Sequence, residues 1–272
     1  MIDDNSKEFI KRHPMHPFSL GTDTLDYKTL VNFPKTSRKL HLPIESIMKI
    51  KDSRATVENI LSSSESYYGI NTGFGYLSNV KISENHLEEL QINLIRSHAA
   101  GVGKKVDDNI TSSLIFLRAH NFAQGHSGIS PDLINHMIDC AMKGLAPHIF
   151  EQGSVGASGD LAPLAHLALG FIGEGQSSYK GKEASTKELM KHLEITPYSP
   201  KAKEGLSLIN GTSFMATLAA YALHEAKTLQ KSADIILALS LSAFKGSTTP
   251  FDERIHLIEN VIKPGWKDLS CK

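Results

Sequence analysis

Cysteine is nearly missing from this sequence, which has only Cys140 and Cys271 in 272 residues. Two thiols so far apart exclude a disulfide framework and a cysteine-built zinc site as organising devices. Net charge is missing as well: 29 Lys and Arg stand against 29 Asp and Glu. No overall field therefore draws the chain to nucleic acid or to an anionic membrane surface. The most apolar stretch, residues 206–223, is interrupted by Ser207, Asn210, Gly211, Thr212, Ser213 and Thr217. A bilayer span needs about 20 predominantly apolar residues, so a buried helix is expected there instead. Met1 to His13 mixes Asp3, Asp4, Lys7, Glu8, Lys11 and Arg12 with no apolar run behind it, which is not a secretion signal. A cytoplasmic protein is expected. His120, His126, His136 and His166 are scattered without a ligand spacing such as H-E-x-x-H, so no metal is assigned.

What is present fits an ordinary globular chain, 40% hydrophobic and 21% charged, long enough for a large core. Helical signals dominate. Pro43-Ile44-Glu45 opens one helix, and the serines at 62–64 end that region. Ser83 is read as an N-cap, with Leu87, Leu90, Leu94 and His98 at helical spacing and Gly101 as the stop. A further helix is expected from about Asp108 to Gln124, with Ile110, Leu114, Leu117 and Asn121 along one stripe. Ser130-Pro131 and Gly144 bracket another, which carries Ile134, Ile138 and Ala141. Gly153, Gly156 and Gly159 punctuate a polar run before the apolar residues 161–171. A hairpin at 173–181, a short helix from Thr186 to His192 and a joint at Pro197 and Pro200 follow. Residues 206–244 read as one or two long helices, and the fold class is mainly α.

Ala157-Ser158-Gly159-Asp160 carries unusual chemistry in its spacing. A backbone nitrogen attacks the carbonyl two residues earlier only where the chain bends tightly and the nitrogen is uncrowded, which glycine permits. Attack by the Gly159 nitrogen on the Ala157 carbonyl, with loss of water, closes a five-membered ring. Loss of the Ser158 hydroxyl then leaves a conjugated methylidene, an electrophile that no ordinary side chain offers. The ordinary reading of the same four residues is a glycine-rich loop with Asp160 as the N-cap of the next helix.

The surrounding run from Gly153 to His166, GSVGASGDLAPLAH, resembles the signature of the aromatic amino acid ammonia-lyases. Two further segments agree with it. Residues 68–75, YGINTGFG, resemble the family's tyrosine-bearing loop, and residues 208–212, LINGT, resemble its asparagine segment. The resemblance runs from about residue 40 to residue 256 and implies the L-aspartase/ammonia-lyase-like fold with its long-helix bundle. It implies that Ala157-Ser158-Gly159 becomes a 4-methylidene-imidazol-5-one (MIO) group and that no metal or diffusible cofactor takes part. Tyr68 is implied in proton transfer at the substrate β-carbon, although a phenol near its usual pKa of ~10 is a weak base. Asp160 is implied to assist cyclisation or dehydration. Asn210, read here within an apolar helix, is implied to lie beside the prosthetic group or substrate; a helix–helix hydrogen bond is the other account of a buried amide.

Ser97-His98 resembles the pair found in the histidine-specific members, where Phe-Leu marks phenylalanine and His-Leu marks tyrosine specificity. An imidazole can exchange a hydrogen bond with a substrate imidazole, although His98 also shares a face with Leu87, Leu90 and Leu94 as a core histidine would. The implied reaction is deamination of L-histidine to trans-urocanate and ammonia, within a homotetramer. Three regions are expected: 1–204 with the tyrosine loop and the ring-forming residues, 205–256 with the first bundle helices, and a divergent tail at 257–272. Family members are roughly twice this length. The reading is therefore of a truncated product that needs the missing half for activity, or of a non-catalytic remnant acting as an interaction subunit.

Overall fold

The computed structural model describes residues 16–63, 65–73, 82, 84–155, 159–252 and 254–255. Ser64, Ser83, Gly156, Ala157, Ser158 and the tail at 257–272 lie outside the described residues. Within them the fold is mainly helical. The helices are α1 (Tyr27–Asn32), α2 (Ile44–Leu61), α3 (Glu84–His98), α4 (Asp108–Phe122) and α5 (Pro131–Lys143). They continue with α6 (Leu161–Phe171), α7 (Thr186–His192), α8 (Glu204–Ile209) and α9 (Ser213–Ala243). Short strands tie the loops together. Strand β1 (Phe18–Ser19) pairs in parallel with β2 (Leu40–His41), and β3 (Val102–Lys105) pairs antiparallel with β5 (Phe150–Gln152). Strand β4 (Ala146–Pro147) adds to the hairpin of β6 (Gln176–Tyr179) and β7 (Lys182–Ser185).

Local chemistry sets several boundaries. Helix α5 starts with Pro131 at its first position, where the missing N–H costs nothing. It ends in a Schellman motif: Gly144 is left-handed at φ +75°, its N–H donates to the Ala141 carbonyl, and the Leu145 N–H donates to Cys140. Helix α4 begins at Asp107, whose carboxylate accepts the Asn109 N–H at 2.8 Å.

Helix α4 differs from its sequence reading. The expected stripe of Ile110, Leu114, Leu117 and Asn121 is not its buried face. Leu114, Ile115, Phe116, Ala119 and Phe122 are all buried, while Asn121 is exposed. The helix is wrapped by neighbours on nearly every side, so a one-sided pattern does not apply. In α5 the buried set is Leu133, Ile134, Met137 and Cys140, with Ile138 and Ala141 at its margin.

The chain divides into two compact units, Met1–Ala222 and Leu223–Lys272. The first contains the hydrophobic core, with Phe18, Phe116, Phe171 and Met137 fully enclosed. In the second, Leu229, Ile235, Ile236 and Leu239 stand exposed on α9. Residues 204–243 taken together are long and apolar enough to cross a bilayer, yet 39% of their most apolar window is buried in protein. The joint at residues 210–212 also divides that run.

Candidate functional site

Beyond β5 the chain doubles back on itself. Val155 forms an antiparallel bridge with Gly159, so the ends of the segment containing Ala157 and Ser158 are held side by side. Gly159 is left-handed at φ +98°, and a Cβ there would lie 2.6 Å from the Gly211 carbonyl oxygen. Both facts require glycine. The next amide, Asp160 N–H, donates to that same Gly211 oxygen at 2.8 Å.

Asp160 is completely buried. It stands at the N-cap position of α6 but makes no side-chain cap bond to that helix. Its carboxylate instead accepts the Ser154 hydroxyl at 2.8 Å and the Met215 N–H at 3.0 Å. Met215 lies in the first turn of α9, so Asp160 satisfies an orphan donor of a different helix. One carboxylate thus joins Ser154 to the start of the longest helix among the described residues.

Asn210 is not inside a helix, contrary to the sequence reading. It ends α8 in extended conformation, φ −99° and ψ 127°, and its side chain is exposed. The helix is interrupted because Gly211 takes φ +142° and because Arg118 gathers the carbonyls that would otherwise continue it. Arg118, on α4, is buried and donates to the carbonyls of Ser207, Leu208 (3.0 Å) and Asn210 (2.7 Å) and to the Ser213 hydroxyl (3.3 Å). Its guanidinium lies over the Phe122 ring, 4.6 Å from the centroid. Burial pulls its pKa below the usual arginine range, and the nearby Asp160 charge opposes that shift.

Ser97 and His98 close α3. His98 Nδ1 lies 2.9 Å from the Leu94 carbonyl and 3.1 Å from the Ser97 hydroxyl. A carbonyl only accepts, so Nδ1 carries a proton, which leaves Nε2 as the acceptor in the corresponding tautomer. Three residues on, Gly101 N–H donates to His166 Nε2 at 2.9 Å, which ties the end of α3 to α6. Burial holds His166 below the ordinary histidine value.

Tyr68 occupies a separate turn and is 61% exposed. The buried Asn71 builds that turn, accepting the Tyr67 N–H at 2.7 Å and donating to the Glu65 carbonyl at 2.8 Å.

The contacts therefore join Gly159 and Asp160 to the segment just after Asn210, while Ser97 and His98 form a second local group. Sequence reasoning passed over Arg118. The available signal was a lone cation in the apolar run Leu114 to Ala119, which must find acceptors when buried. Among the described residues no group of three His, Cys, Asp or Glu side chains is placed to hold a metal. A cavity of about 1350 Å³ opens among Lys105, Asp107, Met142, Tyr179 and Phe214, and none of the candidate residues lines it.

A glycine-built turn backed by a buried carboxylate, on a mainly helical scaffold, agrees with the sequence comparison. The chain belongs to the aromatic amino acid lyase family, which it matches over residues 25–263. Among individual relatives, histidine ammonia-lyase 2 of Fusobacterium nucleatum is 44% identical over 239 residues, 88% of this chain and 47% of that protein. Histidine ammonia-lyase of Mus musculus is 40% identical over 248 residues, 91% of this chain and 38% of that protein. The crystal structure of histidine ammonia-lyase from Trypanosoma cruzi superposes with a TM-score of 0.82 at 34% identity, covering 89% of this chain and 47% of that one. Tyrosine aminomutase from Streptomyces globisporus gives 0.79 at 34% identity, over 86% of this chain and 44% of that one. The chain spans about half the length of the first two bacterial relatives it matches.

Proposed function

We propose that the chain is a histidine ammonia-lyase polypeptide, in which Ala157, Ser158 and Gly159 fuse into a 4-methylidene-imidazol-5-one and L-histidine is deaminated to trans-urocanate and ammonia. The observation that carries this reading is Gly159, held at φ +98° against the Gly211 carbonyl in a chain bridged back to Val155. Ring closure between a glycine nitrogen and the carbonyl two residues earlier needs a tightly bent chain of this kind, and a Cβ at Gly159 would have no room. The group supplies an electrophile that acidifies a substrate proton and makes nitrogen a better leaving group.

The remaining roles fall to ordinary side chains. Asp160 holds the turn from behind and assists its dehydration. His98, with its proton on Nδ1, offers Nε2 as an acceptor for a substrate imidazole N–H, and Ser97 keeps the ring in that orientation. A phenylalanine side chain would leave that nitrogen unsatisfied, which favours histidine over the apolar substrates. The Asn210 amide, exposed beside the Gly211 joint, contacts substrate, and the Tyr68 phenol takes the β-proton. Catalysis is assigned to a soluble, cytoplasmic homotetramer that needs no metal and no diffusible cofactor.

Two measurements test this. The peptide containing Ser158 should weigh two waters less than its sequence dictates, and an unmodified peptide would remove the proposed electrophile. Completed with the second half that its relatives possess and supplied with L-histidine, L-phenylalanine and L-tyrosine separately, the protein should generate the near-ultraviolet absorbance of urocanate in preference to cinnamate or coumarate, whereas this chain alone should give little or none. The reverse preference would overturn the assignment of Ser97 and His98.

A further inference from the structure

Ring closure requires the Gly159 nitrogen to bond to the Ala157 carbonyl carbon. The carbonyl oxygen departs as water with the two amide protons, and a second water leaves from Ser158 as its Cα–H and hydroxyl. All of this takes place on a backbone that must be pressed into shape before any of it occurs. The surface behind Gly159 and Asp160 is the Gly211 carbonyl, which accepts the Asp160 N–H at 2.8 Å. What fixes that carbonyl is Arg118. Its guanidinium takes the carbonyls of Ser207, Leu208 and Asn210 and the Ser213 hydroxyl, four acceptors that bracket Gly211 on both sides. The fit is close: a Cβ on Gly211 would stand 2.5 Å from Arg118 Nη1 on one side, and a Cβ on Gly159 would meet the Gly211 carbonyl on the other. The buried Asp160 carboxylate then takes the Met215 N–H, so the joint is held between a buried cation and a buried anion.

We propose that Arg118 is the positioning residue for self-processing of the Ala157-Ser158-Gly159 segment: it fixes the Gly211 backbone as the anvil against which Gly159 and Asp160 are held. Arg118 does not touch the reacting atoms and acts through the 207–213 segment. A guanidinium suits the task because it is planar and keeps its charge: Nη2 meets the three carbonyls while Nη1 reaches the Ser213 hydroxyl, two arms that the single ammonium of lysine does not offer. The proposal rests on the assignment of the ring-forming segment made above.

The test measures the fraction of the Ser158 peptide lacking two waters, in the full chain, against incubation time. The variants are Arg118→Lys and Arg118→Met, with Leu133→Ala as a control that destabilises the core away from the segment. At temperatures where all remain folded by circular dichroism, Leu133→Ala should process like the parent chain. Arg118→Lys should process at least tenfold more slowly, and Arg118→Met should stay almost wholly unprocessed. Should both Arg118 variants fail to fold, Phe122→Leu decides. It removes the ring under the guanidinium but keeps the charge, and it should slow processing several-fold. Parental rates in folded Arg118 variants, or in Phe122→Leu when those do not fold, overturn the positioning role. So does a control slowed as much as they are. An unprocessed parent chain overturns the ring-forming assignment itself, and the proposal with it.

Discussion

At the scale of single residues, the site depends on what has been removed from water. The Asp160 carboxylate is fully buried and holds two donors, Ser154 Oγ and Met215 N–H, with the Arg118 charge nearby. Asp160→Ala would leave both donors unpaired and Arg118 without its compensating charge. Breaking such a buried arrangement costs on the order of 3 kcal/mol. Urea unfolding followed by circular dichroism should therefore show a clear drop in midpoint, and a loss under ~1 kcal/mol would mean that water replaces the carboxylate. The proposal for residues 157–160 comes from their types alone, because the closure it invokes tolerates so few of them. The use of Asp160 was not legible in the sequence, since the donor it satisfies lies 55 positions further along the chain. Arg118 escaped for the same reason: its four acceptors are about 90 positions away, on a segment whose interruption only the fold reveals.

At the scale of elements, boundaries marked by glycine and proline were read well. Helix α5 starts at Pro131 and stops at Gly144, and α7 runs from Thr186 to His192 as its flanking residues imply. The turn between β6 and β7 falls at Lys180 and Gly181, inside the expected hairpin region. Faces were harder to read, because α4 is surrounded and its burial pattern reports neighbours rather than its own periodicity. The C-terminal stop of α5 can be tested directly. Gly144→Ala places a Cβ on a residue at φ +75°, where the only close atoms among the described residues belong to Tyr179 at 3.9 Å. Sterics with the neighbours are therefore harmless, and the left-handed backbone alone should cost about 1 kcal/mol. Thermal unfolding of this variant should show a decrease of a few degrees, and an unchanged midpoint would mean that the Schellman geometry is not maintained in solution.

At the scale of the whole molecule, the buried His120 and the partly buried His136, His148 and His166 link stability to pH. Burial is the first cause holding His120, His136, His148 and His166 below the ordinary value of 6.5, and His136 is pushed down to about 4. These rings are neutral in the folded chain but take up protons once unfolded, so the unfolded state binds more protons below pH ~6.5. Stability should be fully present above that pH and decline as pH falls toward 4, with His136 alone contributing ~3 kcal/mol. Melting temperatures at pH 7.5, 6 and 5 should fall in that order, and a flat profile would contradict the assigned burial. The missing side chain of Gly211 has a consequence of another kind. Because Arg118 presses on one flank and Gly159 on the other, positions 118, 159 and 211 behave as a single lock with three wards. Room made at one of them does not relieve the positive φ of Gly159 and Gly211, so saturation libraries should find both confined to glycine even when Arg118 is varied with them.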